Sequence, residues 1–312
     1  MKRLGSLLVL IWSCAQGFYP IQLLAGDQPA LIQGPLPEPA CSPIPAKVPD
    51  EGARSDVYKG VPFQPGEEAR YVLKYGIMRV HVGYGFLRVQ APTKYKVSIG
   101  RKEEQVLEES RWHRVFSAEA YTGDWYKMVF AGHDTMQAFS RPWDFGVSKF
   151  YINQDEEKPL VRRFRAEKWL DFDHTQCRVQ ERTLDHKKNK EENGEHFLEP
   201  GAIDALGALY KLRTYDFELN KVERFLVYTS EKNWWLEATP LAFETVKTPY
   251  GTHKAVKLAV QSYLGKELQQ KGKLFVWLAT DMPEKPMLKV EGKVTFGSVY
   301  LEMDRFTPGS PL

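Results

Sequence analysis

Along residues 250–303 apolar and polar side chains alternate in short runs separated by turn residues. Lys254–Val260, Met287–Val294 and Gly297–Met303 are such runs, with the wholly apolar strand Leu274–Leu278 among them and breaks at Tyr250-Gly251-Thr252 and Thr280-Asp281-Met282-Pro283. Period-two alternation describes antiparallel strands with one dry face and one wet face. A sheet of that kind must roll up or be covered, so this end of the chain closes a β architecture.

The same pattern opens near Val61-Pro62-Phe63. Arg70–Tyr75 alternates, and Met78, Val80 and Val82 continue one face with Arg79 and His81 on the other. Gly83 and Gly85 then interrupt, and the apolar phase shifts to Leu87 and Val89. A bulge at Gly83 would produce that shift and bend the strand, as a barrel or half-barrel requires. Residues 95–182 predict further strands, with a hairpin tip at Gln154–Pro159 and a turn at Asp171–Thr175. Residues 187–196 are almost wholly polar and are predicted to form a solvated loop.

Glu199–Arg213 breaks the β pattern and reads as a helix. Pro200 suits a first turn, Asp204 lies near the positive end, and Lys211 and Arg213 lie near the negative end. Ala202, Leu206, Leu209 and Arg213 share a stripe, with Ile203 and Tyr210 beside it, so the helix is predicted to plug or lid the sheet. The expected fold class is mainly β: a strongly curved antiparallel sheet or half-open β-barrel of about ten strands with one inserted α-helix.

The first residues differ in kind. Met1-Lys2-Arg3 and the apolar run Leu4–Trp12 read as a secretory leader, too short for a spanning helix, which needs about 20 residues. Cleavage after Ala15 is the leading reading, with a second site after Ala25. Acylation of Cys14 within Ile11-Trp12-Ser13-Cys14 and an uncleaved anchor are the alternatives. Prolines crowd residues 28–65, which predicts an extended spacer or, as the sharper reading, a proline-motif ligand for a partner. The expected layout is a leader over 1–25, a linker over 26–59, a β domain over 60–304 and a tail over 305–312. The implied location is the periplasm, with a tether to the outer membrane if Cys14 is acylated.

Composition narrows the function classes. The chain has 312 residues, 43% hydrophobic and 13% aromatic, enough for a sizeable core. Its net charge is only +3, with both signs mixed along the chain, and no nucleic-acid-binding motif is present, which argues against nucleic acid as a partner. Of the three cysteines, Cys41 and Cys177 remain for a mature chain. Two unpaired thiols are the favoured reading and a disulfide is the alternative.

Candidate chemistry is sparse. Asp173, His174 and Cys177 fall in one tight turn, whereas a nucleophile, base and orienter normally converge from separate elements. His133-Asp134 lacks a second pair at metal spacing. Glu67 and Glu68, as strand neighbours, point to opposite faces and cannot flank one substrate. One of Trp234 and Trp235 should enter the core for the same reason. No catalytic residue, metal or cofactor is expected.

Several short segments together resemble the family called domain of unknown function 3108. They are Gly66–Tyr71 with Gly76 and Gly83, Asp204–Arg213, Gly251–Leu258, and Val276–Asp281 with Pro286 and Phe296–Val299. The resemblance covers roughly residues 60–304 and implies exported bacterial proteins without assigned activity. It also implies a distant, fold-level likeness to lipoprotein carriers of the LolA kind. On that basis the expected function is non-catalytic: an envelope protein holding a lipid or other amphipathic ligand in a groove lidded by the helix. Leu206, Leu209, Tyr210, Trp235 and Trp277 are the groove candidates and Cys14 the lipidation candidate. A structural module that binds an envelope protein partner is the alternative, and a hydrolase the third.

Overall fold

The computed structural model describes residues 52–102, 105–128, 131–158, 161–265, 267–268, 274–294 and 297–312. The expected leader, most of the proline-rich linker, Cys14 and Cys41 lie outside the described residues. The first eight strands form a meander: β1 (Glu68–Tyr75), β2 (Val80–Lys102), β3 (Gln105–Thr122), β4 (Ala131–Ser140), β5 (Val147–Lys158), β6 (Val161–Asp173), β7 (Arg178–Asp185) and β8 (Lys190–Phe197). Helix α1 (Ala205–Leu212) follows. Seven more strands complete the chain: β9 (Glu223–Thr229), β10 (Lys232–Thr248), β11 (Gly251–Leu264), β12 (Glu267–Leu268), β13 (Leu274–Ala279), β14 (Met287–Val294) and β15 (Gly297–Thr307).

All belong to one sheet, ordered β8-β7-β6-β5-β4-β3-β2-β1-β15-β14-β13-β11-β10-β9, with β12 paired to β11. β1 joins the two halves by pairing with both β2 and β15. The curved antiparallel sheet matches the expected class, although among the described residues it holds fifteen strands rather than about ten. The sheet stays open, because β8 and β9 are its two edges.

Alternation explains the two faces. In β1, Ala69, Tyr71 and Leu73 are buried. Arg70 and Lys74 point the other way and pair across the sheet with Asp304 and Glu302 at 2.7 and 2.6 Å. Each buried face residue of Leu size contributes about 2 kcal/mol of transfer free energy, whereas such outward ion pairs contribute about 0–1 kcal/mol. The apolar face therefore dictates the curvature, and the charges decorate it.

The bend predicted near Gly83 is present. Leu73 faces Gly83 but Lys74 faces His81, so β2 carries one extra residue there. A Cβ on Gly83 would stand 2.1 Å from the carbonyl oxygen of Tyr121, which is why this position lacks a side chain.

Other expectations are corrected. Residues 187–196 are not a loop: a short turn leads into β8, whose side chains are mostly exposed on both faces because the strand is a sheet edge. The hairpin predicted at Gln154–Pro159 has its tip further on, since β5 runs through Lys158. The helix is shorter than Glu199–Arg213. Gly201, with φ of 82°, turns the chain, and Ile203 then bridges to the edge strand β9. Its N–H donates to Leu226 O at 3.0 Å and its carbonyl accepts from Tyr228 N at 2.8 Å, so its backbone is spoken for before a helix can begin. Val57 and Tyr58 also belong to the buried core, and β15 continues to Thr307. Cys177 is disulfide-bonded rather than a free thiol, as oxidising compartments permit, and its partner lies outside the described residues.

Candidate functional site

Helix α1 starts where Asp204 caps it. The Asp204 carboxylate accepts from Gly207 N at 2.9 Å and from the Ser140 hydroxyl at 3.5 Å. Burial pushes this carboxyl up to about 6, against the lowering effect of those hydrogen bonds. Gly207 lets the first turn lie close, since a Cβ there would sit 2.8 Å from Asp204 Oδ2 and 3.4 Å from Ser140 Oγ.

The other end of α1 is held by Arg213. Its guanidinium donates to Glu67 Oε1 and Oε2 at 2.7 and 2.8 Å and to the carbonyl of Glu284 at 2.7 Å. Both partners are buried, and the guanidinium lies over the rings of Phe63 and Tyr210, each 5.1 Å from the centroid. The helix is thus fixed at one end to β4 and at the other to the start of β1 and the β13–β14 turn.

Beneath α1 lies a cavity of about 130 Å³. Leu206 and Leu209 form its roof; Tyr71, Leu87, Ala118 and Met136 wall one side, Val276, Val290 and Leu301 another, and Val227, Trp234 and Leu236 a third. Glu119 borders it but aims its carboxylate at Arg88 and His133, each at 2.8 Å. Tyr71 spends its hydroxyl on Met287 O at 2.9 Å. The wall is hydrocarbon nearly throughout.

The five groove candidates separate. Leu206 and Leu209 line the cavity. Tyr210 does not; it stacks on Phe116 with ring centroids 4.0 Å apart and meets Phe63 edge-on at 5.1 Å. Trp235 faces away, because its neighbours Trp234 and Leu236 take the inward positions on β10. Trp277 is buried on the opposite face from Val276. Its indole donates to Glu244 at 2.5 Å, and the ammonium groups of Lys257 and Lys289 lie 5.1 and 4.6 Å from the ring centroid. The parity of a strand states that neighbours diverge but not which one faces inward. Trp234 and Glu67 were therefore readable each as one of a pair, while Met136 and Ala118 left no local signal.

The polar clusters considered for catalysis have structural partners. His174 Nε2 donates to Val147 O at 2.7 Å, and Asp173 accepts from Thr175 N and Gln176 N at 2.9 and 3.0 Å. Burial holds His174 down at about 3. Asp134 accepts from Asp155 N at 3.2 Å. Glu67 and Glu68 do diverge: Glu67 is buried against Arg213, and Glu68 pairs with Arg88 at 2.6 Å.

The profile of the family described as protein of unknown function (DUF3108) matches residues 70–304. The chain belongs to the DUF3108 family. No curated protein matches it. Among solved structures it is similar to a beta-barrel-like protein of the domain of unknown function DUF1849 from Brucella abortus, at 8% identity and a TM-score of 0.44, covering 78% of this chain and 97% of that one. A protein from Bacteroides fragilis described as exported, with a YmcC-like fold, aligns at 11% identity and a TM-score of 0.32, covering 79% and 98%. The likeness to LolA-type carriers stays an expectation. Among the described residues no helix is long and apolar enough to cross a membrane.

Proposed function

We propose that this DUF3108 protein is a non-catalytic envelope protein that holds the apolar part of an amphipathic ligand beneath α1. The observation that supports this is the hydrocarbon-walled cavity roofed by Leu206 and Leu209. Natural cores leave few voids larger than a water molecule, so an apolar space of this size in the centre of a domain asks for an occupant. At about 130 Å³ it is close to an engineered cavity of ~150 Å³ that stays dry and takes benzene, and below the ~300 Å³ of ordinary ligand pockets. A short apolar segment fits as the helix stands; a longer acyl chain requires α1 to shift. In this reading the leader-like start of the sequence directs the protein to the periplasmic side, free after cleavage at Ala15 or, as the alternative, tethered to the outer membrane through an acylated Cys14.

The experiment is mass spectrometry of an organic extract from protein purified out of its native envelope. A single amphiphile class in near-stoichiometric amount is expected. An extract no richer in amphiphiles than that of an unrelated exported protein would overturn the proposal.

A second reading, docking on an envelope partner, draws on one different feature. The β1–β2 turn carries Ile77 and Met78 at 96% and 88% exposure, the two most exposed large apolar side chains described. Alanine at both positions would abolish co-purification of a partner while leaving bound amphiphile unchanged.

A further inference from the structure

The two edges of the open sheet do not pair, yet side chains cross between them. Asn233 of β10 donates to Phe197 O and accepts from Glu199 N, both at 2.9 Å, and Tyr228 of β9 meets Phe172 of β6 edge-on at 5.3 Å. Along this seam three side chains from separate elements converge: Glu181 of β7, His196 of β8 and Glu231 of the β9–β10 turn. One donor atom from each lies within 4.8 Å of the others. Donors held about 2.0–2.2 Å from one ion stand roughly 3–4.4 Å apart, so small side-chain rotations would close this set around a single cation.

Two further observations point to an absent partner. Glu181 Oε2 is buried without a hydrogen-bond partner, His196 Nε2 lying 3.5 Å away. The hydroxyl of Tyr228, a residue only 2% exposed, also lacks a partner. Tyr228 pairs with Asn233 across the β9–β10 turn that carries Glu231. Lys168 partly neutralises the cluster, its ammonium 2.5 Å from Glu181 Oε1 and 3.8 Å from Glu231. Thr183 donates to the same Oε1 at 3.0 Å. One ammonium against two carboxylates leaves a negative charge, and Lys168, about a third exposed, can swing to solvent.

We propose that Glu181, His196 and Glu231 form a site for a divalent transition metal of the zinc type, which staples β7 and β8 to the β9–β10 turn. One imidazole with two carboxylates, closed by water or by the Tyr228 hydroxyl, is a donor set that such ions accept, whereas magnesium prefers an all-oxygen shell.

The test is calorimetric titration of untagged, chelator-treated full-length protein with ZnCl2 and, separately, MgCl2, with melting temperatures recorded alongside. One zinc per chain, a raised melting temperature and no magnesium binding are expected. His196→Ala and Glu231→Gln should each weaken zinc at least tenfold while leaving the metal-free melting temperature within a few degrees. Lys168→Met should tighten zinc about tenfold by removing the competing ammonium. Absence of stoichiometric zinc binding overturns the proposal, as does zinc affinity unmoved by His196→Ala and Glu231→Gln. An affinity that does not rise in Lys168→Met shows that zinc binds away from the carboxylates the ammonium holds and likewise overturns it.

Discussion

Arg213, at the close of α1, grips Glu67, at the entry to β1, through two parallel hydrogen bonds of 2.7 and 2.8 Å in the buried interior. These residues are 146 apart in sequence, and the pair turns a helix of eight residues into a fixed part of the sheet. An isolated helix of that length has no stability of its own in water.

Removing one side of the pair should therefore be costly. Glu67→Gln or Arg213→Met leaves a buried charge or its hydrogen-bonding remnant unmatched, and a loss of about 3–5 kcal/mol is expected. The double variant Glu67→Leu/Arg213→Met should recover a large part of it. Urea denaturation of the three variants checks this; single variants within 1 kcal/mol of wild type would show that the ion pair does not hold α1.

Gly83 gives a sharper steric test. Gly83→Val should destabilise the domain by at least about 2 kcal/mol, because the new Cβ would lie 2.1 Å from a backbone oxygen that cannot move freely. Gly85→Ala, two residues on, is the control: its nearest contact would be 3.8 Å, and a change within about 1 kcal/mol is expected. Equal effects at both positions would contradict the bulge as the cause.

Acidification should unfold this protein through its buried histidines. Burial lowers His113 to about 4 and His174 to about 3, so between the ordinary value of 6.5 and those values the unfolded chain binds two protons that the native state refuses. Stability contributed by the neutral rings is present above pH 6.5 and is lost as pH falls. Asp204, raised to about 6, acts in the opposite sense, because from pH 6 down to 4 the native state takes up its proton first. For these three groups the net difference of one proton predicts a loss of about 1.4 kcal/mol per pH unit between pH 6 and 4. Denaturation at pH 7, 5.5 and 4.5 measures it. Asp204→Asn should roughly double the slope and His174→Gln should flatten it; a wild-type stability independent of pH in that window would refute the assignment.

The sheet was legible in the sequence because its signal is local. Arg70–Tyr75 alternates, and its two faces follow from that alone; Leu274–Leu278 is apolar throughout, which announces a strand but not its faces. β8 was not legible, since an edge strand wet on both faces carries no alternation to read. The start of α1 was hidden for a different reason: Ile203 satisfies its backbone on β9, a contact that residues 199–213 do not announce. Of the site, Leu206 and Leu209 followed from the helical stripe. Trp277 carried no signal of its face, because every residue of Leu274–Leu278 is apolar, and its ring lies against Glu244, Lys257 and Lys289.

The cavity makes opposite predictions for filling and for enlarging it. Ala118 is 1% exposed and lines the space, so Ala118→Leu would place three more carbons inside it. If the space is empty in the free protein, the added carbons remove void and should stabilise the domain by about 1 kcal/mol. Leu206→Ala does the reverse, costing about 2–3 kcal/mol, towards the low end of the usual 2–5 because one side of Leu206 already faces the void. Ligand behaviour should run the other way. A fatty acid or phospholipid that binds only the folded state must raise the melting temperature of wild type. That rise should persist or grow in Leu206→Ala and vanish in Ala118→Leu. If Ala118→Leu responds to amphiphiles as wild type does, the ligand sits elsewhere, and the cavity is a packing defect rather than a binding site.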